Sequence, residues 1–434
     1  MKKRIFCLFM AGVLTACLAG CGLYLPFDSE KSSENTETES STTVGTENQV
    51  PFEEPVSLTP TGPQKTLKLS SSILGVHVLG KRVFANRNYL SCDYSGSGIE
   101  FTADFQGGDV TVSTRTDGAC NFLVWVDGNP YQPTADSFYF TVNGDGEIVI
   151  KGLSYGKHTV RIVKVTGYEQ ALARFFNITL YGTLLTDEVP ADQDVYVEFL
   201  GGDAASGLGV LGNGSTTYKG QDATKAYPYL LAQALETEYS FLTLSDENLL
   251  ESMYEAYFYA SIKQDSKNKY DFPNQADVTV IHIASENQSA DDFRATYRGL
   301  VKAAKVKNGD ASRVVCVYNQ GDTVAANAIA AICAEFGGEE NGYFSVGVNQ
   351  KDAGVLTEQE QKALAQALTA VLQEAISTVL DPNDTPNEPN EPNEPNEPQI
   401  PENADVPGEG NDLQLGTNDE IGMKLDHADP AWNS

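Results

Sequence analysis

The spacing of apolar residues changes once along this chain, and that change limits the folds the chain can adopt. Between residues 66 and 185, short segments such as Phe122–Asp127 and His158–Val163 alternate apolar and polar side chains, with turn residues between them. Alternation with a period of two, interrupted by turns about every 8 to 12 residues, is typical of an antiparallel β-sandwich. We therefore predict a β-sandwich over residues 66–185, with Trp125 in its core.

From residue 190 to residue 380, apolar strands alternate with helical segments. The predicted strands begin at Tyr196 and continue at 239–244, 278–284, 313–318 and 343–348, and the predicted helices cover 223–235, 290–305, 324–336 and 357–380. Strands that alternate with helices form parallel sheets with right-handed crossovers. This order predicts a three-layer α/β domain over 190–380, with a five-stranded parallel sheet covered by helices on both faces.

The N-terminus has the features of an export signal. Three basic residues at positions 2–4 precede the apolar run Ile5–Leu18, which is too short to span a bilayer. The run ends in Leu18-Ala19-Gly20-Cys21, which resembles a bacterial lipobox, where the cysteine is acylated. We predict a signal peptide over 1–20 and a lipid bilayer anchor at Cys21, which would hold the protein at the outer face of the bacterial cell membrane.

Two polar segments flank the predicted domains. Residues 21–65 are rich in serine, threonine and glutamate, and this composition predicts a disordered acidic tether. Residues 381–434 form a second disordered segment, in which prolines recur every third residue from Pro386 to Pro398, the repeat of polyproline II. The net charge of −31 excludes nucleic-acid binding. Binding of a protein partner to the C-terminal segment stays open.

Four cysteines remain in the predicted mature domains, at positions 92, 120, 316 and 333. None forms a C-x-x-C pair, and the chain has only four histidines, so we predict no metal site built on cysteine and histidine and no cofactor. A bridge between Cys92 and Cys120 and a pair of buried free thiols are both compatible with the sequence.

Sequence blocks in both domains resemble a known family. The blocks are Leu79-Gly80-Lys81-Arg82, residues 94–101 and His158–Lys164 in the sandwich, and Val197–Gly201 and Ala226–Leu231 in the second domain. They are similar to the family 2 carbohydrate esterases, which join a jelly-roll to an SGNH-type hydrolase domain. The resemblance covers about residues 70–380, and it implies this fold and an activity on acetyl esters of plant polysaccharides such as acetylxylan.

The same resemblance assigns a serine nucleophile after the first strand and a histidine base near the last helix. Here the serine position holds Asp203 or, with a shift of one residue, Ala204. The other degenerate positions are Glu247 in a turn where the family has glycine, Glu286 in place of an amide donor, and Asn349 at the start of a 349–354 loop without histidine. Serine needs a base to become a nucleophile, and the developing oxyanion needs hydrogen-bond donors. We therefore predict that the chain does not catalyse ester hydrolysis.

The predicted function is non-catalytic binding of a plant cell-wall type of polysaccharide. The candidate binding residues are Asp203, Ser206, Glu247, Glu286, Tyr254 and Tyr257.

Three alternatives remain open. An active deacetylase could use a relocated pair, Ser206 and His282. The carboxylates that follow neighbouring strands, among them Asp246, could bind a cation through hard oxygen ligands. The protein could instead be a surface scaffold.

Overall fold

The described part of the chain contains two β-sheets that differ in the direction of their strands. The computed structural model describes residues 52–380 apart from 72, 191, 262–268, 287 and 351–354. The predicted signal peptide, Cys21 and the 381–434 segment lie outside the described residues. Among the residues that are described, no helix combines the length and the apolar character that a membrane crossing requires.

The first sheet is antiparallel and has twelve strands. They are β1 (Gln64–Lys68), β2 (Val76–Leu79), β3 (Phe84–Ala85), β4 (Leu90–Cys92), β5 (Gly98–Phe105), β6 (Val110–Thr116), β7 (Cys120–Val126), β8 (Asn129–Pro130), β9 (Tyr139–Val142), β10 (Asp145–Ile150), β11 (Gly156–Lys164) and β12 (Ala173–Leu184). The long strand β12 joins two sets of strands, because its first part pairs with β6 and its last residues pair with β5.

Alternate side chains of these strands form one buried apolar cluster, which includes Phe101, Phe122 and Phe175. Cys92 and Cys120 belong to this cluster, and both are free thiols. The structure therefore shows a pair of buried free thiols and not a bridge between Cys92 and Cys120.

Trp125 does not lie in that cluster, and the prediction that it does is wrong. It is half-buried in a second, smaller cluster with Leu79, Leu123 and Val163. Because Phe122 and Val124 face the main core, the period of two directs Leu123 and Trp125 to the opposite face of β7.

The last residues of the predicted 21–65 tether contact the sandwich. The backbone N–H of Thr61 donates to the carbonyl of Gln106 at 2.8 Å, and the hydroxyl of Tyr155 donates to the carbonyl of Thr59 at 2.6 Å. Strand β1 begins at Gln64. For residues 58–65 the structure therefore corrects the predicted boundary. Backbone hydrogen bonds order this polar segment, and its composition does not reveal them.

The second sheet has five parallel strands, as the alternation of strands and helices predicts. They are β13 (Tyr196–Gly201), β14 (Glu238–Thr243), β15 (Val278–His282), β16 (Arg313–Asn319) and β17 (Tyr343–Val348), in the order β14-β13-β15-β16-β17. In this register Gly201, at the end of β13, lies between Thr243 and His282. The carboxyl ends of three neighbouring strands therefore meet at one edge of the sheet.

Helices pack against both faces of this sheet. They are α1 (Asp203–Ser206), α2 (Tyr227–Ala234), α3 (Leu249–Ala256), α4 (Ala290–Asn308), α5 (Thr323–Glu335) and α6 (Glu358–Leu380). One core cluster joins Val314 and Cys316 of β16 to helices α3, α4 and α5, and the other joins Val315 and Val317 to α2 and α6. The sequence pattern does not predict α1 and α3, and the four residues of α1 are too few to show a helical period.

A buried ion pair connects the two sheets. Arg82, between β2 and β3, and Glu198, in β13, are both almost completely buried, and Nη2 of Arg82 lies 2.5 Å from Oε1 of Glu198. Nη1 of Arg82 donates to the carbonyls of Tyr257 and Tyr259 at 2.8 and 3.0 Å. Burial opposes the charge of the guanidinium, but the carboxylate of Glu198 keeps the pKa of Arg82 above its usual value.

A second contact explains one glycine of the resemblance blocks. Gly96 has a φ of +76°, and an added Cβ would lie 2.4 Å from the ring of Phe241 in β14. The hydroxyl of Tyr239 also donates to the carbonyl of Gly96 at 3.0 Å. A side chain at position 96 would therefore push the sandwich away from the parallel sheet.

We expect Arg82→Met to lower the free energy of unfolding by about 3 to 5 kcal/mol, because the substitution leaves the Glu198 carboxylate buried without its counter-ion. Chemical denaturation of the full chain measures this loss. Arg115→Gln is the matched control, since it breaks the exposed pair of Arg115 with Asp145 and should leave stability unchanged. Equal stability of the Arg82 variant and the wild type would contradict the structural role of the ion pair.

Candidate functional site

The carboxyl ends of β14, β13 and β15 bring several acidic residues to one edge of the parallel sheet. Asp203 begins α1 after β13, Asp246 and Glu247 follow β14, and Glu286 follows β15. The prediction that these residues follow neighbouring strands is confirmed. Open α/β sheets bind ligands at this edge.

Asp203 occupies the first turn after β13, the first strand of the parallel sheet in chain order. Its half-buried carboxylate accepts a hydrogen bond from the hydroxyl of Ser245. Burial raises the pKa of Asp203, and the Ser245 hydrogen bond offsets part of this rise. Ala204, the other candidate for the serine position, is buried and has no functional group.

Glu286 is exposed and has a φ of +40°, a left-handed conformation that is rare for a residue with a side chain. Partial burial raises the pKa of Glu286, and the negative charges of Asp203 and Asp322 raise it further. The Asp322 carboxylate is held in place by the N–H and hydroxyl of Ser285, at 2.7 and 2.6 Å. The site therefore concentrates negative charge.

Asp246 and Glu247 lie in the turn between β14 and α3. The Asp246 carboxylate accepts hydrogen bonds from the N–H of Asn248 and the hydroxyl of Ser252, both at 2.8 Å. Glu247 is exposed, and with Glu286 it lines a small cavity of about 50 Å³. Within the described residues, the carboxylates of Asp203, Asp246, Glu247 and Glu286 do not converge closely enough to hold one metal ion. The structure does not support the cation alternative.

Ser206 and His282 are both buried, and each hydrogen-bonds to other groups. The Ser206 hydroxyl donates to the Asp203 carbonyl at 3.0 Å and accepts from Nε2 of Gln221 at 3.0 Å. Nδ1 of His282 lies 3.3 Å from the hydroxyl of Tyr227. Burial lowers the pKa of His282 to about 4, against a smaller effect of its Asn319 hydrogen bond. The described hydrogen bonds therefore do not connect Ser206 to His282.

The two candidate tyrosines have different environments. Tyr257 is completely buried and contacts the Arg82 guanidinium, so the prediction that it binds a ligand is wrong. Tyr254 is 37% exposed, and its ring packs against Gly299 of α4 and Phe258. The sequence gives both tyrosines as candidates, but it does not show which of them faces Arg82 and which faces solvent. Asn349 is exposed and directly follows β17.

The sandwich contributes residues to this edge that sequence reasoning missed. The hydroxyl of Tyr168 donates to the carbonyl of Ser245 at 3.4 Å, and Gln221 links Oε1 of Glu169, at 2.8 Å, to Ser206. Lys164 fixes the start of this loop, because its buried ammonium donates to three backbone carbonyls, among them those of Thr166 and Gly167. Only the position of Lys164 in a resemblance block could have pointed to this loop.

Comparison with known proteins gives a family for part of the chain. Residues 78–187 match the family model of the carbohydrate esterase 2 N-terminal domain. A curated relative, the cellulase/esterase CelE of Acetivibrio thermocellus, is 27% identical over 177 residues, or 39% of this chain. The chain spans only about a fifth of the length of that relative.

Solved structures extend the similarity to most of the described residues. A family two carbohydrate esterase from Clostridium thermocellum, in complex with cellohexaose, gives a TM-score of 0.61 at 19% identity and covers 70% of this chain and 100% of its own. The chain has the fold of the family two carbohydrate esterases. An acetyl xylan esterase from the rumen bacterium Butyrivibrio proteoclasticus gives a TM-score of 0.62 at 14% identity, over 73% of this chain and 99% of its own.

The buried neutral His282 predicts a specific dependence of stability on pH. Above pH 6.5 the imidazole is neutral in both states, but between about pH 6.5 and 4 the unfolded chain binds a proton that the folded chain does not. We expect this group to lower the free energy of unfolding by up to about 3 kcal/mol as the pH falls through that window. Denaturation at several pH values, compared with His282→Gln, isolates the effect.

The control for this measurement is His158→Gln, which removes a histidine of the sandwich that pairs with Asp127. This variant should keep the acid loss that His282 causes. If wild type and His282→Gln lose stability in parallel from pH 6.5 to 4, His282 does not have a depressed pKa.

Proposed function

We propose that this chain is a bacterial cell-surface lipoprotein that binds polysaccharide at the carboxyl edge of its parallel sheet without hydrolysing acetyl esters. Its relation to carbohydrate esterases rests on the match of residues 78–187 and on the shared fold. The surface location rests on the lipobox that ends at Cys21. In this proposal the antiparallel domain is a jelly-roll and the parallel domain is a three-layer SGNH-type domain.

One observation carries the proposal of inactivity. At the position where a nucleophile would follow the first strand of the parallel sheet, the structure has the Asp203 carboxylate, hydrogen-bonded to Ser245. The chain sequence has no histidine from residue 349 to residue 380. A serine hydroxyl without a base is a weak nucleophile, and a carboxylate such as Glu286 accepts hydrogen bonds but cannot donate them to an oxyanion.

The electrostatics of the edge add a second argument. An ester hydrolysis transition state develops negative charge, and this site already holds the carboxylates of Asp203, Glu286 and Asp322. Burial raises the pKa of Glu286, and the charges of Asp203 and Asp322 raise it further. Such a field destabilises an oxyanion. It does not oppose the binding of neutral sugars through hydrogen bonds to the same carboxylates.

We expect the full chain to show no hydrolysis of aryl acetates or of acetylated xylan above background, because base and oxyanion donors are absent together. The assay includes Ser206→Ala and Ser245→Ala, the two serines whose hydroxyl groups donate to Asp203. Turnover by the wild type that either variant abolishes would show that the nucleophile has moved, and the proposal of inactivity would be wrong. Restoring serine at position 203 alone should also give no turnover.

Binding has a separate basis. The relative in complex with cellohexaose has the same fold, and the edge of this chain exposes carboxylates that can accept hydrogen bonds from sugar hydroxyls. Because its charge is negative, we propose a neutral plant cell-wall type of polysaccharide as the ligand, in preference to polysaccharides that carry uronic acids.

We expect neutral xylo- or cello-oligosaccharides to bind the full chain in titration calorimetry, and polygalacturonate not to bind. Glu286→Gln removes one negative charge from the edge and should therefore reduce the repulsion of polygalacturonate. Glu147→Gln removes one charge from an exposed strand position of the sandwich; it is the matched control and should leave this repulsion unchanged. Binding of polygalacturonate by the wild type, or equal effects of both substitutions, would contradict the proposed ligand class.

A further inference from the structure

Three potential metal ligands meet at the opposite end of the parallel sheet from the candidate site. They are His77 in β2, Asp192 in the segment that leads into the α/β domain, and Glu238 at the first residue of β14. One ligand atom of each lies within 4.8 Å of the others. Nε2 of His77 is 3.0 Å from Oδ1 of Asp192 and 3.4 Å from Oε1 of Glu238.

The histidine is buried beside three carboxylates. His77 is only 8% exposed, and its ring nitrogens lie 3.0 to 3.6 Å from carboxylate oxygens of Glu100, Asp192 and Glu238 without a well-aligned hydrogen bond. The neighbouring carboxylate oxygens therefore lie beside the ring N–H directions and not along them. A buried polar group without a hydrogen bond is costly unless another interaction compensates for it.

The surroundings of the three residues have features of metal sites. Oε2 of Glu100 lies 3.6 Å from Nδ1 of His77, too far for a hydrogen bond, but this carboxylate is on the side of the ring where the outer partner of a metal-ligating histidine usually lies. The N–H of Gln193 donates to Oε1 of Glu238 at 3.2 Å and orients that carboxylate. His77 and Asp192 also line a cavity of about 570 Å³, which gives access to the group from solvent.

We propose that His77, Asp192 and Glu238 form a binding site for Zn²⁺. Zinc binds nitrogen and oxygen ligands at about 2.0 to 2.2 Å in a tetrahedral arrangement, in which neighbouring ligand atoms are about 3.3 Å apart. The distances of 3.0 and 3.4 Å around Nε2 of His77 are close to this spacing, and the three ligand atoms lie within 4.8 Å of one another. Calcium is disfavoured, because it takes six to eight oxygen ligands at longer distances.

Lys81 is the competitor of the metal ion at this site. Its ammonium lies 2.6 Å from Oδ1 of Asp192 and 3.4 Å from Oε2 of Glu238, so it supplies the positive charge that these carboxylates require. Zinc binding must displace this long side chain toward the cavity that it lines. The site therefore makes an unusual prediction: removal of Lys81 should strengthen metal binding.

A bound zinc ion would connect three parts of the chain. His77 belongs to the sandwich, Asp192 to the connecting segment and Glu238 to the parallel sheet. The ion would thus add a second connection between the two sheets, apart from the Arg82–Glu198 pair. Sequence reasoning considered zinc sites of cysteine and histidine with short spacing, and a site of distant residues with two carboxylates escapes that search.

The test is calorimetric titration of the chelator-treated full chain with ZnCl₂, with CaCl₂ as the comparison. We expect one Zn²⁺ per chain, a Kd that Asp192→Asn weakens by about ten-fold or more, and a Kd that Lys81→Met tightens. Asp192 is 66% exposed, so its substitution does not threaten the fold. His77→Ala should abolish the site, and thermal unfolding reports whether this variant folds.

His158→Gln is the control, because it removes a different histidine with a carboxylate partner and should leave zinc binding unchanged. Three results would overturn the proposal: no heat with Zn²⁺, a Kd that Asp192→Asn leaves unchanged, or an equal loss in His158→Gln. If Lys81→Met fails to tighten binding although the wild type binds zinc, the ion occupies another place in the chain.

Discussion

The Arg82–Glu198 ion pair is the interaction on which the arrangement of the described chain depends. Glu198 lies in β13, the strand that pairs with both β14 and β15, and Arg82 reaches it from the sandwich. The ring of Tyr270 lies 4.3 Å from the guanidinium carbon of Arg82 and stabilises the same charge. Because two buried charges are stable only as a pair, the sandwich has one favourable position against the parallel sheet.

This position matters for the candidate site. With the sandwich held in place, Tyr168 and Glu169 reach the carboxyl edge of the parallel sheet and contact Ser245 and Gln221. The site is thus built by both domains, although its acidic residues all belong to the second one. Asp203, Asp246, Glu247 and Glu286 all follow strands of the parallel sheet, and none of them belongs to a core cluster.

Much of the fold could be predicted because it depends on local patterns. Strand β17 has the predicted bounds, and β16 differs from its prediction by one residue, since apolar runs between turn residues mark buried parallel strands. The acidic residues of the site could be placed for the same reason, because each follows a strand whose neighbours are given by the α/β order.

Contacts between distant segments could not be predicted in this way. Periodicity shows that Tyr257 and Trp125 lie on particular faces, but not that Arg82 covers one and that a small cluster with Leu79 and Val163 covers the other. The same holds for His77, Asp192 and Glu238, which no local pattern connects. The resemblance blocks contain Arg82, Gly96, Lys164 and Glu198, and only the structure shows that these residues hold the domains together and fix the loop at the site.

We propose that the edge with Asp203, Glu247 and Glu286 binds polysaccharide without hydrolysing acetyl esters. Hydrogen exchange of the full chain, measured with and without neutral xylo-oligosaccharide, tests this binding because it locates the ligand. We expect slower exchange in the segments that follow β13, β14 and β15, and unchanged exchange in β6 and β10 of the sandwich. Protection confined to the sandwich, or no protection at saturating oligosaccharide, would contradict this proposal.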